Sequence, residues 1–598
     1  MTAEFRNTEV DLTGLMRVLG EALYSTPHVA IRELIQNGHD SLERRRIEDR
    51  LPAQSRIQLV TDAAKGTLSI EDNGAGLTAD EIHQYLATVG TGYTRQLRDR
   101  DQSSALIGYF GLGFLSAFVV SQKTEVWTCS YKSPEQAWLF TSRSGETYSV
   151  QSADQRAIGT RVTLQLRDGF RELCDSGVVR RLVERYCRLL PLPVDVDGVH
   201  VNGDSPPWRL PAETSPLRRR KAALELATRL ERRFEPITTL DLKPDAGEGN
   251  GAQGMLWIQD GASYATSDHR NVSVYVRGML VSDDERELLP AWAGFVGAAV
   301  ESDELKPTAS RESLQTDRTF ERTKVLLRES LVHGLSGLAS AEPASWRRVL
   351  RRHNEALLGA AVSDERLFQL LARQLTVPTS AGDLTVPAVL ERSGRTIHLR
   401  DADTSPHQEL LFRALNVPVV DGARFGVHSF CRLYCERLGG KLAVLGTEQG
   451  DRELFRPAAV SDADKQRLLE LFGGRDRQVL FSRFAPEYLP FIAVKDREVE
   501  LKRVLEDEQA DKRVGAAVLS LARHFTASIQ GGAIYRFHIN LDCPVIATLL
   551  AARPERAALG LRLLAPLNVL LGDIGAGAET EAALRGFVTS ICGVLEEK

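Results

Sequence analysis

Helix-like patterning of apolar and polar positions runs from Leu15 to Tyr24 and again from Val29 to Glu48, so both segments are expected to be helices. The pattern then shortens. Arg56 to Thr61 and Gly66 to Glu71 read as strands of a hairpin-like pair, and residues 160–166, Thr-Arg-Val-Thr-Leu-Gln-Leu, alternate at period two like a further strand. The proline-bearing stretch Ser205 to Pro216 reads as a short linker. Beyond it lies a mixed region from about Arg218 to residue 475, with a strand expected at Val272 to Val276, and then a helix-rich remainder. In that remainder Ala557 to Leu571 is mostly apolar, interrupted by Arg562, Pro566 and Asn568, which points to a core or a subunit interface. Pro566 is expected to divide or kink any helix there. The chain therefore reads as a multidomain α/β protein with domains at 1–205, 218–475 and 476–598.

Composition narrows this picture without redirecting it. Of 598 residues, 43% are apolar and 26% charged, as in ordinary globular proteins, and 75 basic residues against 80 acidic ones leave a net charge of −5. That balance gives no reason to expect nucleic acid or an anionic membrane as the main partner. Seven cysteines in a chain of this length form no disulfide framework; Cys431 and Cys435 stand at helical spacing, without a second Cys/His pair at zinc spacing, and are read as free thiols. The N-terminal residues carry charges and no apolar core of a signal peptide, and no apolar run approaches the roughly 20 residues of a membrane span. A soluble, cytoplasmic protein is expected.

Four short motifs carry candidate chemistry. In Arg32-Glu33-Leu34-Ile35-Gln36-Asn37-Gly38-His39-Asp40, the residues Glu33, Asn37 and Asp40 fall in one stripe of a helix while Leu34 and Ile35 face a core. Asn37 could be the single side-chain ligand of a Mg²⁺ ion shared with phosphates and waters, and Glu33 could orient and deprotonate a water. Next, Glu71-Asp72-Asn73-Gly74-Ala75-Gly76-Leu77 follows a strand; Asp72 could accept a hydrogen bond from an adenine amino group, with glycines such as Gly76 admitting the base. The third motif, Gly108-Tyr109-Phe110-Gly111-Leu112-Gly113-Phe114, enters an apolar helix, so its amides could cradle phosphate oxygens, although no Walker A lysine follows. Finally, Gly159-Thr160 opens a strand, and the Thr160 hydroxyl could complete an adenine pocket. Taken singly, each motif is as well explained as a polar helix face, a turn or a loop.

Their joint order resembles the GHKL ATPase superfamily, which includes gyrase, the heat-shock protein 90 chaperones, sensor histidine kinases and the MutL mismatch-repair proteins. Ala22-Leu23-Tyr24-Ser25 ahead of the Glu33 helix, and Ile107 to Val119, are similar to the nucleotide motifs of the heat-shock protein 90 family. Residues 274–284, Val-Tyr-Val-Arg-Gly-Met-Leu-Val-Ser-Asp-Asp, followed by Ser310-Arg311-Glu312, resemble that family's middle domain. The resemblance implies an N-terminal α/β sandwich that binds ATP, an α/β middle domain and a helix-rich α+β dimerisation domain. It implies a homodimeric, ATP- and Mg²⁺-dependent chaperone acting on unfolded or partly folded clients. Arg311 would reach the ATP γ-phosphate from the middle domain, and such a guanidinium couples hydrolysis to domain closure. Glu33 would position the water, Asn37 hold magnesium, Asp72 read adenine, and Gly108, Phe110, Gly111 and Gly113 line the phosphate loop, with Asp40, Gly76 and Thr160 completing the pocket.

The departures are specific. Gly38 and His39 replace a usual Ala-Ser pair, with a surface or supporting role expected for His39. The lid between Ala87 and Ile107 is short and has Thr91 in place of lysine, and Thr308 replaces an asparagine. No eukaryotic co-chaperone docking tail ends the chain, which suggests a bacterial-type protein. The rival readings are a nucleotide-gated client scaffold with little turnover and, less favoured for want of a basic DNA-binding surface, a DNA-linked ATPase of gyrase or MutL type.

Overall fold

The computed structural model describes residues 28–49, 54–88, 113–203 apart from 144 and 146, 205–242, 251–261, 268–308, 313–401, 408–472, 477–496 and 533–571, with a few residues outside these. The chain divides into two compact units, Met1–Arg352 and His353–Lys598. The expected helix at Leu15 to Tyr24 lies outside the described residues.

The first unit begins with the expected helix, Val29–Glu48. The hairpin pair forms as strands β1 (Ile57–Asp62) and β2 (Thr67–Asp72), each starting one residue later than the sequence pattern suggests. Strands β3 (Ser121–Cys129), β4 (Ala137–Ser142), β5 (Tyr148–Ala153), β6 (Gly159–Leu166), β7 (Val194–Val196) and β8 (Val199–His200) complete an eight-stranded sheet in the order β5-β4-β3-β6-β2-β1-β7-β8. All its pairings are antiparallel except β1 with β7. Period-two alternation explains its core: Leu68, Ile70 and Asp72 of β2 are buried while Thr67, Ser69 and Glu71 are not. On the covered face Ile31, Leu34, Ile35 and Leu42 pack with Ile57, Leu59, Leu68, Ile70, Leu164 and Leu166.

A second, five-stranded sheet, in the order β12-β11-β13-β10-β9, spans Pro236–Asp241 (β9), Ala252–Gln259 (β10), Asn271–Val276 (β11), Met279–Ser282 (β12) and Val296–Ser302 (β13). Here β11 is the strand expected at Val272 to Val276. Ser205 to Pro216 is not the loose linker that its prolines suggest. Pro206 and Pro207 are buried, Arg209 Nε donates to Glu301 Oε2 at 2.9 Å, its Nη1 donates to the Leu189 carbonyl at 2.6 Å, and Trp208 Nε1 donates to Glu301 Oε2 at 2.9 Å. Pro207 opens a short 3₁₀ turn, Pro207–Arg209, that delivers two donors to one buried carboxylate.

The second unit contains a five-stranded sheet, made from strands between Thr376 and Val444, and a four-stranded sheet, made from strands between Arg456 and Asn540. Helix Val427–Leu438 carries Cys431 and Cys435; burial pushes their thiols up to about 12 and about 11 respectively, which leaves them protonated and poor ligands. The expectation for Pro566 fails in one respect: helix Pro554–Leu571 is continuous through it. A proline that deep in a helix removes one backbone bond, and the remaining bonds of an 18-residue helix keep it unbroken.

Replacing Arg209 with Met should lower the melting temperature of the first unit. Glu301, 8% exposed, would retain only the indole donor, a loss of about 2–3 kcal/mol for a buried charge robbed of its main partner. An unchanged first calorimetric transition would show that the Ser205–Pro216 segment is a passive tether.

Candidate functional site

Helix Val29–Glu48 and the turn after β2 build the site between them. From Val29 to Asp40 every residue is buried except Asn37, which is exposed. Glu33 is 1% exposed and Asp40 6%, so the stripe predicted from sequence is not a solvated polar face. Glu33 Oε1 accepts from Arg32 Nη2 at 3.3 Å, and the Arg32 guanidinium also lies over the Tyr186 ring at 5.5 Å. A Cβ at Gly113 would come within 2.6 Å of Glu33 Oε2, so the last glycine of the third motif lies against the carboxylate of the first. Only a glycine admits that approach without displacing the carboxylate.

Asp72 occupies the end of the apolar row of β2, 8% exposed. Its Oδ1 accepts from Ser41 Oγ at 2.8 Å and from the Gly74 amide at 2.9 Å, and no described hydrogen bond uses Oδ2. Burial is the largest influence and pushes the carboxyl up to about 6, partly offset by those two donors and by the charge of Arg156. Because the folded chain binds this proton more tightly than the unfolded one, Asp72 favours folding at low pH, an advantage that is lost as pH rises from about 4 to about 6. Thr160 is the cross-strand partner of Asp72, and its hydroxyl lies 3.0 Å from that of Thr128 on β3. Three of the four motifs thus meet around one helix turn, and Gly113 brings in the edge of the fourth.

Gly76 has a structural role besides the one expected. At φ +64° it adopts a left-handed conformation, and a Cβ there would land on the Cys129 carbonyl oxygen of β3. The residue is required by packing of the turn on its own sheet, whatever it does for a ligand. His39 is buried, not at the surface, with Nδ1 3.3 Å from Asp40 Oδ1. Gly108, Phe110, Gly111, Thr91 and Arg311 lie outside the described residues. The base of the segment that contains Arg311 is described. There Thr308 N donates to Ser313 O at 2.9 Å and Gln315 N to Lys306 O at 2.8 Å, which draws the two ends of the segment together. The helix after it starts at Arg318, capped by Asp317.

The sequence model of the histidine kinase-, DNA gyrase B- and HSP90-like ATPase family matches residues 24–163, around this site, and that of the Hsp90 protein family matches residues 259–371, around the second sheet. Both matched regions are similar to the heat-shock protein 90 family. The chain is 33% identical over 337 residues to the chaperone protein HtpG of Paramagnetospirillum magneticum, across 53% of each chain. It is 25% identical over 582 residues to the chaperone protein HtpG of Yersinia pestis, across 90% of this chain and 91% of that one. The alignment therefore spans about half of the first relative's length and nearly all of the second's.

Sequence reasoning missed the residues that hold Asp72 in place. Ser41, one turn beyond Asn37, donates to Asp72 and accepts from the Ala75 amide at 3.1 Å, which ties the helix to the turn. Arg156 and Arg161 clamp Glu71 at 2.8 Å each and lie over the Trp127 ring at 5.2 and 5.8 Å. Ser41 could have been found from its i+4 relation to Asn37; Arg156 sits in a loop whose partner is 85 residues away and gives no local signal.

Gly76→Ala is expected to destabilise the N-terminal sheet by at least about 1–2 kcal/mol from backbone conformation alone, before the clash with Cys129 is counted. Thermal melting of the variant tests this; a wild-type melting temperature would mean that the turn relaxes freely.

Proposed function

We propose that this chain is an ATP-dependent molecular chaperone of the heat-shock protein 90 type. In this reading it binds and hydrolyses ATP to drive clamp closure of a homodimer around unfolded or partly folded clients. The observation that carries the reading is the arrangement along one helix. Asp72, anchored at Ser41 with one oxygen uncommitted, marks one end, and Glu33 against Gly113 marks the other. Eight residues separate Ser41 from Glu33, about 12 Å of helix. A nucleoside triphosphate is long enough to bridge base recognition at the first to phosphate chemistry at the second.

Each role follows from local chemistry. The free oxygen of Asp72 accepts from the exocyclic amine of adenine, with the Thr160 hydroxyl beside it, and Asp40 and Gly76 shape the pocket. Glu33, buried beside Gly113, would orient and deprotonate the attacking water. Arg32 holds Glu33 in the resting arrangement, consistent with their 3.3 Å contact. Asn37 offers one accessible neutral oxygen amid buried neighbours, which fits Mg²⁺, an ion that keeps most of its shell for phosphates and water. When bound, the ion would neutralise phosphate charge. The loop at Gly108, Phe110, Gly111 and Gly113 would wrap the phosphates, and Arg311 would complete the site from the region that matches the Hsp90 protein model.

The three-domain organisation, the homodimer and a cytoplasmic location belong to the same proposal. Seven free cysteines suit a reducing compartment, and no described helix is long and apolar enough to cross a membrane.

Three variants test the reading together. Asp72→Asn should abolish nucleotide binding. Glu33→Ala and Arg311→Ala should keep ADP affinity within a few fold and lower turnover by about 10²–10⁴-fold. Unchanged turnover in Glu33→Ala would favour the scaffold without catalysis. The pH dependence supplies a separate check. ADP affinity should fall about tenfold per unit as pH drops below about 6, because protonating Asp72 removes the acceptor. Titration calorimetry at pH 5 and 7 showing equal affinity would exclude Asp72 as the adenine reader.

A further inference from the structure

At one end of strands β2, β6 and β3 the row Asp72–Thr160–Thr128 lines one face of the sheet, and the row Glu71–Arg161–Trp127 lines the other. Into the second row reaches Arg156, from the loop that leads into β6. Its Nη2 donates to Glu71 Oε1 at 2.8 Å and its Nη1 to the Trp127 carbonyl, and its guanidinium lies over the Trp127 ring, 5.2 Å from the centroid. Arg161 Nε donates to the other oxygen, Glu71 Oε2, at 2.8 Å. The loop also closes on the strand end, because a Cβ at Gly159 would land on the Asp72 carbonyl oxygen.

Two guanidiniums against one carboxylate leave one positive charge in surplus behind Asp72. The Arg156 side chain is 8% exposed, so water screens its charge poorly. Of the other groups around Asp72, Ser41 and the Gly74 amide are neutral donors to Oδ1, and Glu71 carries the opposing charge. Arg45, on the helix that covers the turn, is committed to the carbonyls of Asn73 and Gly74 at 3.0 and 3.4 Å. Burial pushes the Asp72 carboxyl up, and the charge of Arg156 draws it part of the way back. The influence is mutual: burial holds Arg156 below its ordinary value, and Glu71 and Asp72 oppose that.

Ionisation of Asp72 decides which base it can read. Ionised, Oδ2 only accepts, which matches the 6-amino group of adenine. Protonated, it donates, which matches the 6-oxo group of hypoxanthine. A buried polar group that meets its like stays unpaired, and a mismatch of that kind discriminates strongly between ligands. We propose that Arg156 is a positioning residue that sets base specificity: its charge behind Asp72 keeps Oδ2 an acceptor, so the site takes 6-amino purine nucleotides and rejects 6-oxo ones. The proposal rests on Asp72 being the base reader of the ATP site.

Calorimetric titration of the full-length chain with ADP and with IDP, from pH 5 to 8.5, provides the test. In wild type ADP affinity should fall and IDP affinity rise as pH drops through about 6. In Arg156→Met both curves should move up by about half to one pH unit. At pH 7 this variant should bind IDP about three- to fivefold more tightly and ADP up to about twofold more weakly, with wild-type ADP affinity restored at pH 8.5. Glu71→Gln, which removes the opposing charge, should move both curves down. Curves that stay in place in both variants would overturn the proposal. So would a loss of affinity for both nucleotides at every pH in Arg156→Met, the mark of a merely structural support. ADP that binds wild type with no pH dependence would overturn it while leaving an ATP site in place, whereas a wild-type chain that binds neither nucleotide would overturn the ATPase reading as well.

Discussion

The site depends on a carboxylate kept where the sheet pattern would place an apolar side chain. Asp72 continues the inward row of Leu68 and Ile70, and the helix that covers that row leaves it 8% exposed. Burial of an ionised carboxylate is expensive, and two donors at Oδ1 offset it only in part, so the carboxyl is pushed up to about 6. The remaining desolvation leaves Oδ2 in want of a donor. A ligand that brings an N–H to this position recovers free energy that the empty fold forgoes, which is how a recognition group gains affinity from its surroundings. Ser41 makes the arrangement precise, since it spans helix, turn and carboxylate with one hydroxyl.

Much of this was legible in the residues because it is local. The Val29–Glu48 helix and the hairpin strands follow from periodicity, and the Glu33–Asn37–Asp40 stripe follows from helical spacing. What periodicity cannot give is which face of an amphipathic helix meets water: Glu33 is buried because a glycine at 113 lets another segment close over it, and that neighbour is 80 residues away. The prolines of Ser205–Pro216 misled for a related reason. Proline marks a break in regular structure, and whether the path there is slack or pinned depends on Glu301, far along the chain. Gly76 stands out in the sequence as a glycine of the Asp72 turn, but its approach to Cys129 of β3 is not visible there.

The boundary read between the first two regions is also not a boundary in the core. Tyr275, Met279 and Leu280 of the β11–β12 hairpin belong to the same buried cluster as Ile31, Leu34 and Ile35 of the Glu33 helix. At Gly278, φ +83°, the hairpin turn presses on the backbone of Leu189, with no room for a side chain between them. Close-packed interiors transmit displacement because they have few voids to absorb it. A shift of the helix when its carboxylates engage a nucleotide would therefore be felt directly by the second sheet, which leads through β13 to the tied-off base of the Arg311 segment. The β11–β12 hairpin shares a core with the helix that bears Glu33, and changes in one are constrained by the packing of the other.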